Sequence, residues 1–179
     1  MGPALAKLGG LADMIVTAWS DGRFEIAGRW TRCALGRAGT VAATDKREGD
    51  GATPLGLWPM RRLFYRADNG LPPTGLPALA IGPDDGWCDE PGDPAYNRPV
   101  RLPYVGRHER LWRDDGLYDL VVVLGHNDDP PVAGAGSCIF LHLARTDYAP
   151  TEGCIALSRP DMVALLGLCG PGSALRVEA

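Results

Sequence analysis

A histidine and a cysteine lie at the two ends of one short polar loop. An apolar run at 137–143 carries His142, and a second apolar run begins after Gly153 with Cys154. This pattern predicts strand, loop and strand, with an imidazole leaving one strand and a thiol entering the next. A free thiol titrates at about 8.5, and a nearby imidazole raises its small thiolate fraction at neutral pH. The spacing therefore indicates a thiol nucleophile with a neighbouring base.

The glycine before the thiol suits the same chemistry. Gly153 has no Cβ, so it permits unusual backbone angles and lets a substrate carbonyl approach the main chain closely. We expect the N–H groups of Gly153 and Cys154 to stabilise a developing oxyanion. A single cysteine is most often a packed apolar residue, and a single histidine in an apolar run is most often a core residue. Their combination around one loop favours an active site over both alternatives.

The residues around the thiol resemble the catalytic signature of the L,D-transpeptidase (YkuD) family. That signature is a histidine followed by Ser/Thr-x-Gly-Cys-Ile/Val, and here His142 precedes Thr-Glu-Gly-Cys-Ile at 151–155. The resemblance implies that Cys154 is the nucleophile, that His142 is its base and that Gly153 is the glycine of the motif. Many members also carry His-Gly-Thr and an arginine two residues after the cysteine. This sequence has Leu-Ala at 143–144 and Ala156 in those places.

The resemblance also implies a substrate class. It points to peptidoglycan stem peptides or muropeptides, attacked at the bond between the L-centre of a diamino acid and D-alanine. D-alanine leaves, and a thioester remains on Cys154. An amine acceptor then gives a cross-link, whereas water gives a trimmed stem, as in an L,D-carboxypeptidase. No cofactor is implied.

Four further residues are candidates for substrate binding. Thr151 matches the Ser/Thr position of the signature, and Arg145 lies in the polar loop after His142. His126 and Asn127 directly follow the apolar run 119–125, so they are expected at the end of a strand facing the active-site groove.

The remaining pattern predicts a mostly β fold, namely a YkuD-like mixed sheet or sandwich with one or two short helices. An Asp-Gly turn joins strand-like runs at 14–19 and 23–28, which indicates a hairpin. The run 119–125 is apolar throughout and is typical of a strand that is buried on both faces. Two more strands are expected at 57–65 and 174–178. The first follows a Thr-Pro-x-Gly loop that resembles a segment of the same family.

Helices are expected in two places. Ser158 followed by Asp161 is typical of a helix start, and the apolar residues to Cys169 continue it to an end near Gly170. Charged residues at 108–115 predict a second, short helix. The proline-rich segment 66–107 is expected to be irregular. Within it, Trp87, Tyr96 and Asn97 are expected to line a groove wall or lid over the site.

Length and composition indicate one soluble domain. Residues 1–13 are interpreted as a leader or an expression remnant, and 14–179 as a single catalytic domain in a chain of 179 residues. The net charge of −4 and the lack of a Lys/Arg-rich run argue against nucleic-acid binding. No apolar stretch reaches ~18 residues, so no membrane span is expected. The leader has no convincing signal peptide, which favours the cytoplasm, whereas a different native start would allow the periplasm.

Cysteine usage raises two alternatives to an enzyme. The five cysteines are odd in number and contain no C-x-x-C, which indicates a reducing compartment rather than a disulfide framework. Zinc binding by Cys138, His142 and Cys154 is disfavoured, because residues four apart in a strand lie ~13 Å apart. A wall- or peptide-binding module with a merely packed Cys154 is the other alternative, and thiol reactivity distinguishes it from an enzyme.

Overall fold

One large β-sheet dominates residues 13–179, which are the residues that the computed structural model describes; the leader predicted at 1–13 lies almost wholly outside them. The predicted class, a mostly β mixed sheet with one or two short helices, is confirmed. The described part holds thirteen strands, one α-helix and two short 3-10 turns. The strands and the helix are β1 Ile15–Trp19, β2 Arg23–Ile26, β3 Arg29–Arg32, β4 Thr40–Ala42, β5 Thr53–Tyr65, β6 Ala78–Ala80, β7 Asp85–Cys88, β8 Pro99–Arg101, β9 His108–Arg110, β10 Leu120–Leu124, β11 Phe140–Leu143, β12 Ile155–Leu157, α1 Arg159–Leu166 and β13 Ala174–Glu178.

The long strand β5 lies at the centre of the large sheet. The sheet has the order β12-β11-β10-β5-β13-β1-β2-β3, and β4 and β6 add to β5 in parallel. Just after β3, Ala34 forms an antiparallel bridge with Ala156 of β12, at the opposite end of this order. The two ends of the sheet therefore meet, and the sheet is nearly closed.

Each face of the large sheet packs its own apolar cluster. Along β11, Leu141 and Leu143 belong to one cluster, whereas Phe140 belongs to the other. This alternation follows from the period of two along a strand. Every residue of β10 is buried, and its successive side chains are shared between the two clusters, as its continuous apolar sequence predicts.

The helix α1 covers the first cluster with Met162, Leu165 and Leu166. Ser158 caps the helix by accepting a hydrogen bond from the N–H of Asp161, as predicted. The Asp161 carboxylate accepts hydrogen bonds from Ser158, Thr31 and Arg29. Burial raises the pKa of Asp161, but these hydrogen bonds outweigh it, so the pKa lies below its ordinary value. The helix ends at Leu166, before the predicted end near Gly170.

A separate three-stranded sheet, β8-β7-β9, covers the second cluster. Trp87 of β7 packs edge-on against Phe140 of β11, with ring centroids 5.3 Å apart. The predicted helix at 108–115 is wrong, because 108–110 form β9, which pairs with β7. The segment 66–107 is also more regular than predicted, since β6, β7 and β8 lie within it.

The other strand predictions differ only at their edges. The hairpin of β1 and β2 and the last strand β13 lie where the sequence predicts them. Strand β5 begins at Thr53 rather than at 57, so the Thr-Pro-x-Gly segment is part of the strand. Thr53 is fully buried, and its hydroxyl accepts a hydrogen bond from the N–H of Gly36.

Candidate active site

Strands β11 and β12 are parallel neighbours, and they bring His142 and Cys154 to one face of the sheet. His142 pairs with Ala156, and Cys154 lies two residues before Ala156. Since side chains alternate along an extended chain, Cys154 and Ala156 point to the same face as His142. Both side chains line a single cavity of about 260 Å³. The folded chain therefore brings the imidazole and the thiol together across one loop.

His142 is held in one tautomer. Its Nδ1 lies 2.9 Å from the carbonyl oxygen of Leu143, which can only accept, so Nδ1 carries the proton and Nε2 the lone pair. The ring packs edge-on against Tyr118, with centroids 5.1 Å apart. Burial lowers the pKa of His142 to about 4, so the imidazole is neutral at neutral pH. Such a ring is able to accept a proton at Nε2.

The thiol of Cys154 is also held in its neutral form. Its Sγ donates a hydrogen bond to the carbonyl oxygen of Cys138 at 3.0 Å. Burial, followed by the charge of Glu109, raises the pKa of Cys154 to about 12. This differs from the expectation that the imidazole raises the thiolate fraction. Both groups are buried, and desolvation disfavours the charged form of each.

Gly153 has a backbone conformation that side chains rarely adopt. Its φ is +135°, and a Cβ there would lie 2.9 Å from the carbonyl oxygen of Ala52. Its N–H donates to the hydroxyl of Thr151 at 3.2 Å, and that hydroxyl donates to the Cys154 carbonyl at 2.6 Å. An oxyanion would compete with Thr151 for this N–H. Thr151 therefore shapes the loop, in addition to bordering the cavity.

Two cavities meet at Cys154. The first, of about 260 Å³, contains His142 and is bordered by the exposed side chain of Arg145, which the sequence assigned to substrate binding. The second, of about 310 Å³, extends towards β7 and the segment after β4. Glu109 and Glu152 border both cavities together with the thiol.

His126 and Asn127 border neither of these cavities, in contrast to their predicted contact with substrate. Nε2 of His126 donates to the carbonyl oxygen of Ala135 at 3.0 Å, and burial lowers the pKa of the ring. The side-chain amide of Asn127 donates to the carbonyl oxygens of Val132 and Gly136 at 3.0 and 2.9 Å. The physical reason for the difference is that both side chains are used to hold the 127–136 turn.

The predicted lid residues serve a different purpose. Asn97 is buried, and its Oδ1 accepts hydrogen bonds from Trp87 Nε1 at 2.9 Å and from the N–H of Cys138 at 3.2 Å. Trp87 and Asn97 border a separate cavity of about 350 Å³ that does not contain the thiol. Tyr96 donates its hydroxyl proton to Glu48. Asn97 anchors the N–H of Cys138, whose carbonyl oxygen accepts the hydrogen bond of the Cys154 thiol, rather than forming a wall over the site.

Sequence reasoning missed Glu109, Tyr118 and the Cys138 carbonyl. The Tyr118 hydroxyl donates to Glu109 Oε2 at 2.7 Å, and both side chains line the His142 cavity. Glu109 comes from β9, whereas the thiol follows β11 by a loop, so no local spacing connects them. Cys138 has a positive φ of +53°. Cysteine rarely adopts such an angle, so the sequence does not predict it.

Residues 13–179 contain neither a candidate metal site nor a candidate membrane-spanning helix. No three His, Cys, Asp or Glu side chains in that range come together as a metal site. All five cysteines are buried and unpaired. No helix there has the length and apolar character to cross a membrane.

Comparison with known proteins gives one family match. The model of the YkuD family, described as the L,D-transpeptidase catalytic domain, matches residues 11–178. No curated protein matches the sequence. Among solved structures, Mycobacterium tuberculosis L,D-transpeptidase 1 aligns with 15% identity and a TM-score of 0.42. The alignment covers 93% of this chain and 62% of that one, so the chain spans less than two thirds of its length. The family match extends over nearly the whole sequence, and the chain belongs to the L,D-transpeptidase catalytic domain (YkuD) family.

Proposed function

We propose that the chain is a cysteine-dependent L,D-transpeptidase-type enzyme that acts on peptidoglycan tetrapeptide stems. Its substrate bond joins the diamino acid to D-alanine. The observation that carries the proposal is that Cys154 and His142 border one cavity on neighbouring strands of a YkuD-family chain. Gly153 takes part through the main chain, and Arg145 and Thr151 border the same cavity on the substrate side.

The first half of the reaction begins with a neutral pair. Nε2 of His142 takes the thiol proton as Sγ of Cys154 attacks the carbonyl carbon, so no stable thiolate is needed beforehand. The tetrahedral oxyanion is stabilised by N–H groups at Gly153 and Cys154. Collapse breaks the C–N bond, and the imidazolium returns its proton to the leaving amine of D-alanine. The stem remains as a thioester on Cys154.

The second half transfers the acyl group. An amine acceptor, or water, attacks the thioester carbonyl while His142 takes a proton from the attacking group. Collapse breaks the C–S bond, and the proton passes back to Sγ. An amine gives a cross-linked product, and water gives the shortened stem.

Mass spectrometry of a disaccharide-tetrapeptide, incubated with and without an added amine, tests the proposal. We expect D-alanine release and a thioester adduct on Cys154, and neither with Cys154→Ala. Cys33→Ala is the matched control, since Cys33 borders neither cavity that contains the thiol. Turnover that persists in Cys154→Ala refutes the mechanism.

One observation favours a second function, a binding module in which the thiol is only packed. Cys154 is 8% exposed, and burial raises its pKa to about 12. Such a module would bind the stem with equal affinity in wild type and in Cys154→Ala and would release no D-alanine from either. Calorimetry beside the product assay separates the two functions.

A further inference from the structure

Glu109 faces the reacting groups from the small sheet. It is the middle residue of β9, and it borders both cavities that meet at Cys154. No other element of the small sheet brings a carboxylate into the cavity of His142. Its position therefore exposes it to whatever substrate group lies beside the thiol.

The carboxylate of Glu109 is held in place by Tyr118. The phenol donates to Oε2 at 2.7 Å, while the same ring packs against His142. One residue thus fixes both the carboxylate and the imidazole. A charge that is fixed in this way recognises a ligand group at little entropic cost.

Glu109 forms no ion pair with a basic side chain of the described residues, although the charge of Arg113 acts on it from a distance. Within residues 13–179, no lysine, arginine or histidine forms an ion pair with it. The nearby guanidinium groups of Arg113 and Arg107 pair with Asp115 and Asp89. Desolvation raises the pKa of Glu109, although the Tyr118 hydrogen bond and the charge of Arg113 oppose this. The carboxylate is half-buried and has no salt-bridge partner, and groups with perturbed pKa values are concentrated at functional sites.

The same carboxylate is unfavourable for the nucleophile. Its charge adds to burial in raising the pKa of Cys154. A glutamine of the same shape would still accept the Tyr118 hydrogen bond without this effect. A purely structural role therefore does not explain why the position carries a charge.

We propose that Glu109 binds a primary ammonium group of the substrate beside Cys154, and that this cation offsets the charge of the carboxylate as the thiol gives its proton to His142. The inference rests on the proposed function and names the group that the site recognises. Two sources share this chemistry, namely the side-chain amine of the donor's own diamino acid and the amine of a second stem. Without the cation, the carboxylate opposes loss of the thiol proton, so Cys154 reacts slowly.

Other charged and titratable groups also lie near Glu109 and Cys154. They are constant between wild type and a Glu109 variant, so differences between the two report on Glu109 alone. Those that act on the pKa of Cys154 or Glu109 are Lys46, Glu48, Asp89, Arg113 and Tyr118. The other titratable or charged groups that border the two cavities are Arg107, Cys138, His142, Arg145 and Glu152.

Alkylation of Cys154 by iodoacetamide tests the inference without any turnover. When the thiol pKa falls by one unit, the fraction of thiolate rises about tenfold. The thiolate also becomes a weaker nucleophile, so the alkylation rate rises only about threefold. We expect Glu109→Gln to be alkylated at least about threefold faster than wild type at a fixed mildly alkaline pH. An added diamine should accelerate wild type and leave Glu109→Gln unchanged. Glu178→Gln, an exposed change of equal charge on β13, should match wild type.

A second measurement identifies the source of the ammonium. D-alanine release is followed with donor stems whose side-chain amine is free or acetylated, and with increasing amine acceptor. A higher KM for the acetylated donor in wild type, but not in Glu109→Gln, assigns the site to the donor. Loss of acceptor saturation in Glu109→Gln alone assigns it to the acceptor.

The outcomes are separable from failure of the proposed function. If wild type releases no D-alanine, the proposed function fails, while alkylation still reports on Glu109. If Glu109→Gln and wild type have equal alkylation rates with and without diamine, the inference is overturned.

Discussion

Replacing Asn97 by alanine should destabilise the protein strongly, because this side chain joins the small sheet to the large one. Its Oδ1 accepts from Trp87 and Cys138, and its Nδ2 donates to the carbonyl oxygens of His126 and Asn127 at 3.2 and 2.7 Å. Asn97 is only 4% exposed, so water does not readily replace the lost partner. At about 1 kcal/mol for each of the four bonds, the loss should be about 4 kcal/mol.

Equilibrium unfolding in urea, compared at equal slope, measures this loss. Asn69→Ala is the matched control, because Asn69 is exposed and its side chain makes a single hydrogen bond, to Asp119. That variant should lose less than about 1 kcal/mol. A similarly small loss for Asn97→Ala would refute the role of Asn97 as the link between the two sheets. Asn97→Asp should not restore stability, since its carboxylate would face two carbonyl oxygens.

Three further changes have defined outcomes. His142→Ala should slow D-alanine release by about a hundredfold or more, because the proposed base is lost, and His126→Ala by less than about tenfold; equal losses would mean that the base is misassigned. Gly153→Ala should cost at least about 2 kcal/mol in unfolding free energy, because a Cβ would clash with the Ala52 carbonyl at an unfavourable φ, and wild-type stability would contradict this. Asp161→Asn should lose about 1–2 kcal/mol at neutral pH. Asp161 has a lower pKa in the folded protein than in the unfolded chain. Its contribution to the free energy of unfolding is therefore fully present above the pKa of the unfolded state and is lost as the pH falls through the pKa of the folded state. Urea titrations of both proteins should therefore converge in acid, and a constant difference would count against the linkage.

The local sequence pattern predicts an element correctly where contacts between near neighbours in the chain determine that element. The run at β10 is continuously apolar, and every residue of the strand is buried. The Ser158 and Asp161 pair starts a helix by a hydrogen bond between near neighbours. For the same reason, the alternation on both sides of one loop was enough to bring His142 and Cys154 to a common cavity.

Features that depend on distant pairing could not be predicted in this way. The charged residues of β9 suggest a helix when taken alone, and only their pairing with β7 makes them a strand. His126 follows a strand as the sequence indicates, but the direction of its side chain is set by a carbonyl nine residues later. Glu109 borders the same cavities as the thiol only because the small sheet folds over the large one, and nothing near residue 109 encodes that placement.

The segment 34–37 restricts the motion of the loop that carries Cys154. Four main-chain hydrogen bonds tie this segment to Thr151 and Ala156, on both sides of Cys154. Those amides should take up deuterium slowly, although much of the surrounding chain is a surface loop. Cys154 is therefore ordered during folding, so the entropy of ordering it is not lost again when a ligand binds.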